Sequence, residues 1–157
     1  MKLSSIAALA ALLLLPATPV RADAFAAAEA YNSNGKQIAY EWCRKSSLAA
    51  AKSCAMAACR ENSPSPGRCE IAEYCTPANW AGVEDMVRSS SSKVISVCEK
   101  STRNLALRAL KNECRRYRNA SKSAFEHCTV ESLTSPSGNE ETNVVRWEWE
   151  NGDLKAQ

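Results

Sequence analysis

Eight cysteines are the residues of this chain best equipped for chemistry, as thiolate nucleophiles, metal ligands or halves of disulfides. Cys43, Cys59 and Cys69 stand as Cys-x15-Cys-x9-Cys, and Cys98, Cys114 and Cys128 as Cys-x15-Cys-x13-Cys, with Cys54 and Cys75 outside the repeat. A zinc site needs clustered thiolates at spacings such as Cys-x2-Cys, which are absent, so no metal is expected. No cofactor is expected either, because the chain carries no phosphate-binding glycine loop, dinucleotide fingerprint or calcium loop. His127 is the only histidine, so a conventional triad would depend wholly on it. Its neighbour Cys128 is expected to be half of a cystine, whose sulfur is no nucleophile. Glu41, Glu70 and Glu73 offer carboxylates for glycoside hydrolysis, but acids at such strand positions are more commonly solvated. No catalytic residue is assigned.

The elements that must position these groups follow a repeated order. Ala24 to Tyr31 and Lys36 to Cys43 read as two strands around Asn32-Ser33-Asn34-Gly35, whose Asn-Gly pair tolerates the positive φ of a hairpin turn. Ser46 or Ser47 can cap a helix running to about Glu61, rich in the small side chains that let a helix lie close to a sheet. A breaker cluster, Asn62 to Gly67, precedes a strand from Arg68 to Cys75 that sets Cys69, Ile71, Glu73 and Cys75 on one side. The second set has strands at Ala81 to Val87 and Lys93 to Cys98 around Arg88 and four serines. A helix from Thr102 to about Arg118 and a closing strand from Phe125 to Leu133 complete it. The expected fold is α+β, built of two ββαβ copies with one helix each over a small, disulfide-stapled antiparallel or mixed sheet. Beyond residue 134 come a linker, an added edge strand from Asn143 to Glu150, and a loose tail.

Helix length narrows the pairing of the cysteines. A helix from Ser46 to Arg60 is roughly 20 Å long at 1.5 Å per residue. Cys43 and Cys59, at its two ends, therefore cannot bond across a Cα gap of at most about 7 Å. Cys59 with Cys69 and Cys114 with Cys128 flank short connections, and both are expected to bond. Cys43, Cys54, Cys75 and Cys98 allow three pairings. Cys54 with Cys75 and Cys43 with Cys98 is preferred, because Cys43 and Cys98 are equivalent positions while the other two have no counterparts.

The run Ala27-Ala28-Glu29-Ala30-Tyr31 with Gly35, then Ile38-Ala39-Tyr40-Glu41-Trp42, the helix containing Leu48-Ala49-Ala50-Ala51 and ending in Cys59, and the strand Cys69 to Cys75 together resemble the bacterial secreted family called domain of unknown function 4189. The resemblance spans about residues 24–133. It implies an exported α+β domain with a helix-end cysteine bonded to the following strand, and no established chemistry. Some members of that family are similar to periplasmic immunity or inhibitor proteins.

Residues 1–22 read as a signal peptide: Lys2, an apolar run from Ile6 to Leu15, Pro16 and Pro19, and the small residue Ala22 before Asp23. Ten apolar residues are too few to span a bilayer, which takes about 20, so no transmembrane anchor is expected after cleavage. The expected location is periplasmic or secreted, where disulfides persist. The formal charge of +3 is unevenly placed: Lys100 to Lys122 holds eight basic residues against Glu113 alone, whereas Glu126 to Gln157 holds seven acids against Arg146 and Lys155.

On the second helix Arg108, Lys111, Arg115, Arg118 and Lys122 form a basic ridge opposite a stripe of Ala106, Leu107, Leu110, Cys114 and Tyr117. Such a ridge suits a protein partner or an anionic envelope polymer. Trp147 and Trp149, at alternate positions, would share one face and could make a second contact patch. Nucleic acid is not expected, because the aromatics do not interleave with the ridge. The expected function is an exported, non-catalytic binding module, immunity-like or inhibitory, engaging a protein in the cell envelope. The alternatives are an envelope glycan-acting hydrolase and an inert structural envelope protein.

Overall fold

A computed structural model describes residues 23–88, 91–121 and 126–157. The expected signal peptide, part of the serine turn, Phe125 and the ridge residue Lys122 lie outside the described residues. Among the described residues the fold is α+β, with two antiparallel sheets, two α-helices and four disulfides. Strands β1 (Ala24–Tyr31), β2 (Gln37–Lys45) and β3 (Glu70–Cys75) form a three-stranded sheet in the order β2-β1-β3, and helix α1 (Leu48–Asn62) connects β2 to β3. Strands β4 (Trp80–Arg88), β5 (Ser91–Lys100), β6 (His127–Thr134), β7 (Glu140–Glu150) and β8 (Asp153–Ala156) form a second sheet in the order β5-β4-β6-β7-β8, with α2 (Arg103–Ser121) between β5 and β6. In both sets the chain runs strand, strand, helix, strand, and the first strand stands between the other two.

Three buried clusters stack the elements in the order α1, first sheet, second sheet, α2. Ala24, Ala26, Ala28 and Ala30 of β1 face Ala51, Ala55 and Cys59 of α1. Alanine on both surfaces brings helix and sheet close together, and Ser47 caps the helix by accepting from the Ala50 N–H. The other face of β1 carries Phe25 and Ala27, which pack with Trp42 against Ala81, Val83 and Cys98 of the second sheet. Met86, Ile95, Val97, Val130, Trp147 and Leu154 then close the second sheet onto Leu110 and Cys114 of α2. Gly82 makes that last closure possible, since a Cβ there would lie 2.8 Å from Leu110 Cδ1 and 3.0 Å from Leu133 Cδ1. Both leucines are fully buried. Gly82→Ala is therefore expected to lower the unfolding free energy by about 1–3 kcal/mol, measured by urea denaturation.

The chain departs from the sequence reading in three places. The strand expected at the edge, Asn143 to Glu150, is interior: β7 pairs with β6 on one side and β8 on the other, and Leu154 of β8 fills the core, so the expected loose tail is a strand. The alternation read for Arg68 to Cys75 breaks at a register shift opposite Ala27 and Ala28. Ile71 consequently packs on the α1 side while Cys75 faces the second sheet.

That break also decides the disulfides. Cys75 points away from α1 and bonds Cys98, joining the two sheets. Cys43, opposite Ala26, lies on the α1 side of β2, and the helix folding back over the sheet carries Cys54 to it. The pairs are thus Cys43–Cys54 and Cys75–Cys98, not Cys54–Cys75 and Cys43–Cys98. Cys59–Cys69 and Cys114–Cys128 form as the short connections predict.

Candidate functional site

Strand β5 is an edge of the second sheet, and its outer side lines a cleft of about 380 Å³ between the two sheets and α2. The side chain of Gln37, from β2, stands against this edge as a neighbouring strand would. Its Oε1 accepts from the Val94 N–H at 2.6 Å and its Nε2 donates to the Val94 carbonyl at 2.9 Å. Val94 opposes Asp85 and Ser96 opposes Val83 in one unbroken register, so the N–H and C=O of Ser96 point the same way as those of Val94. No partner among the described residues takes them. The Ser96 hydroxyl does have one: it accepts from the Tyr40 phenol at 2.6 Å. Burial drives the Tyr40 ionisation well upward, so this phenol remains a donor.

The cleft walls carry both signs of charge. Glu29 Oε2 accepts from Tyr31 at 2.8 Å and Gln37 at 2.9 Å, and Lys93 Nζ donates to the Tyr31 hydroxyl at 3.4 Å while lying 4.5 Å over the Tyr117 ring. Arg116 is held by Glu113 through its Nε at 2.8 Å. Glu73 faces the cleft without such a partner. Its Oε1 lies 3.8 Å from Cys98 Sγ, a contact and not a hydrogen bond, since a bridged sulfur has no proton. Burial raises the Glu73 carboxyl above the usual range, against the downward pull of Lys100. Of the four acid–base candidates, only Glu73 lines this cleft. Glu41 is on the α1 side of β2, where it accepts from Asn62 at 2.8 Å. Glu70 is exposed at the start of β3, and His127 opens β6 opposite Glu148 and Val87.

Two of the four described ridge residues on α2 are occupied from within. Arg115 pairs with Asp153 at 2.5 Å, holding that carboxyl below the usual range, and Arg118 lies 3.7 Å over the Trp149 ring. Trp147 and Trp149 do share the α2 side of β7, but Trp147 is buried in the core and Trp149 is covered by Arg118. Arg108 and Lys111 stand apart at the mouth of a groove between α2 and β7, floored by Leu107, Val144, Val145 and Trp147.

A third feature was not anticipated. Glu84, on β4 in phase with Gly82 and Met86, is fully buried, and neither carboxylate oxygen has a hydrogen-bond partner among the described residues. One of its oxygens and the sulfurs of Cys114 and Cys128 lie within 4.8 Å of one another. These donor types could hold a metal, but both sulfurs are bound to each other. Burial, reinforced by the charges of Glu113 and Asp85, pushes the Glu84 carboxyl up to about 9, so it keeps its proton at neutral pH. An acid in the buried phase of an otherwise apolar strand is the signal that could have revealed it.

All eight cysteines are paired, which fits an oxidising compartment. Among the described residues no helix is long and apolar enough to cross a membrane. Compared with known protein families, curated proteins and solved structures, the chain matches none of them.

Proposed function

We propose that the chain is an exported, non-catalytic binding module of the periplasm or the medium, acting in the manner of an immunity or inhibitor protein. It engages a protein partner in the cell envelope and receives an extended segment of that partner against the open edge of β5. The observation that carries this reading is the Gln37 amide on Val94, which occupies one position of the edge and leaves the next, Ser96, unpaired in a cleft. Main-chain pairing of this kind gives affinity, and flanking side chains give specificity. Here Glu73, Lys93 and Lys100 would select the charge pattern of the incoming segment. The stapled framework supports the reading, because a rigid edge costs less ordering on association than a flexible one. We also infer that the two strand-strand-helix-strand sets descend from one duplicated unit related to domain of unknown function 4189, which accounts for the repeated cysteine spacing.

Two substitutions at one position test the reading. Ser96→Ala loses only the hydroxyl that meets Tyr40. Ser96→Pro also removes the outward N–H, at an edge position where proline breaks no ladder bond to β4. A partner captured from envelope extract is expected to bind the alanine variant nearly as well as wild type. It should bind the proline variant more weakly by about tenfold or more, the equivalent of one main-chain hydrogen bond lost in a dry interface. Equal binding by both variants, with cooperative unfolding intact in both, or an extract that yields no partner, defeats the reading.

A further inference from the structure

We propose that the groove between α2 and β7 binds a single-chain anionic amphiphile, a long-chain carboxylate, with its alkyl chain on the apolar floor and its head between Arg108 and Lys111. The floor is Leu107, Val144, Val145 and Trp147, and the groove of about 410 Å³ falls within the range of small-molecule sites. The choice of head group follows from which cations are already committed. Arg103, also on the rim, is chelated by Glu141 at 2.7 and 3.0 Å. Arg115 is paired with Asp153, and Arg118 is laid on Trp149.

Arg108 and Lys111 are different. Among the described residues no carboxylate lies within ion-pair distance of either, and Lys111 acts on Asp153 only as a longer-range attraction, weaker than the Arg115 hydrogen bond. Three positions apart on α2, they project from one side of the helix and can share one anion. A cationic pair above an apolar trough matches a molecule that is negative at one end and aliphatic along the rest. A neutral lipid would leave the pair unanswered, and a cationic detergent would be repelled by it. This site is separate from the β5 cleft, so either can fail without the other.

Titration calorimetry with octanoate, dodecanoate and dodecyltrimethylammonium, below their micellar concentrations, tests the idea on the full mature chain. Dodecanoate is expected to bind more tightly than octanoate, by up to about fourfold for each added methylene that is buried. Dodecyltrimethylammonium is expected to bind at least about tenfold more weakly than dodecanoate, the scale of one charge-assisted contact. The double variant Arg108→Glu, Lys111→Glu is expected to reverse that preference, and Lys52→Glu, a remote charge reversal on α1, to leave it unchanged. Amide chemical shifts of Leu107, Val144 and Val145 should move on saturation. Equal affinity for the two head groups, unchanged preference in a double variant that unfolds cooperatively, or shifts confined to other residues would each overturn the proposal. Retention on phosphatidylglycerol vesicles without dodecanoate binding would overturn it too, in favour of a bilayer surface.

Discussion

Glu84→Met is expected to raise the unfolding free energy at pH 7 by about 3 kcal/mol and to remove most of a steep decline in stability between about pH 4.5 and 9. In the folded chain burial holds the carboxyl protonated up to about pH 9, whereas the unfolded chain releases the proton near the ordinary glutamate value of 4.5. Between those limits the folded state binds one proton more than the unfolded state, so stability falls by about 1.4 kcal/mol per pH unit from this group alone. Its full contribution is present below the unfolded value and is gone above the folded one. Methionine has a similar volume and no charge, so the variant should be nearly flat over that window apart from Asp85 and Glu73. Both are also raised by burial and act with the same sign. Glu141, Glu150 and Asp153 are depressed by their hydrogen-bonded cations and act in the opposite sense. Their stabilisation disappears only as the pH falls into the acid range. Urea denaturation of both proteins across pH 4 to 9 checks the expectation, and parallel curves for the two would refute it.

The double variant Cys75→Ala, Cys98→Ala is expected to cost about 3 kcal/mol and to split unfolding into two steps. The first figure comes from the chain-entropy model for cysteines separated by 23 positions. The second expectation comes from placement. Cys43–Cys54 and Cys59–Cys69 tie α1 to the first sheet or the residue preceding β3, and Cys114–Cys128 ties α2 to β6. Cys75–Cys98 alone joins one sheet to the other. Without it the sheets adhere through Phe25, Trp42, Ala81 and Val83, with the Gln37 and Tyr40 hydrogen bonds at the border. Calorimetry should show two transitions where wild type shows one, and amide exchange should be faster in the three-stranded sheet than in the five-stranded one. A single transition at the wild-type temperature would show that the apolar interface suffices.

What could be read from the sequence was local. The Asn32 to Gly35 turn, the Ser47 cap and the Ala-rich helix depend on neighbouring residues, and they occur where those residues predict. The Cys59–Cys69 and Cys114–Cys128 bonds likewise span short connections. Cys75 could not be assigned that way, because the residue added opposite Ala27 and Ala28 turns its side chain to the face opposite the one that alternation predicts. Four residues, Asp153 to Ala156, are too short to announce a strand, yet Leu154 completes a core assembled from distant segments. The candidate sites were least legible. The basic ridge was visible as a pattern, but the Asp153 and Trp149 contacts that occupy half of it arise only when β7 and β8 fold beneath α2. Gln37, bound to the β5 edge, and Ser96, in the cleft, have ordinary neighbours and acquire their importance from the meeting of two sheets.

The amide of Gln37 has one more consequence, for the behaviour of this molecule in crowded solution. Bare sheet margins invite copies of a protein to stack into fibres. A side chain from the adjoining layer already fills the bonding groups of Val94, so two molecules cannot zip together along that margin for more than a residue or so. Gln37 is in effect a stopper, and it keeps the opening beside it too short to recruit a twin.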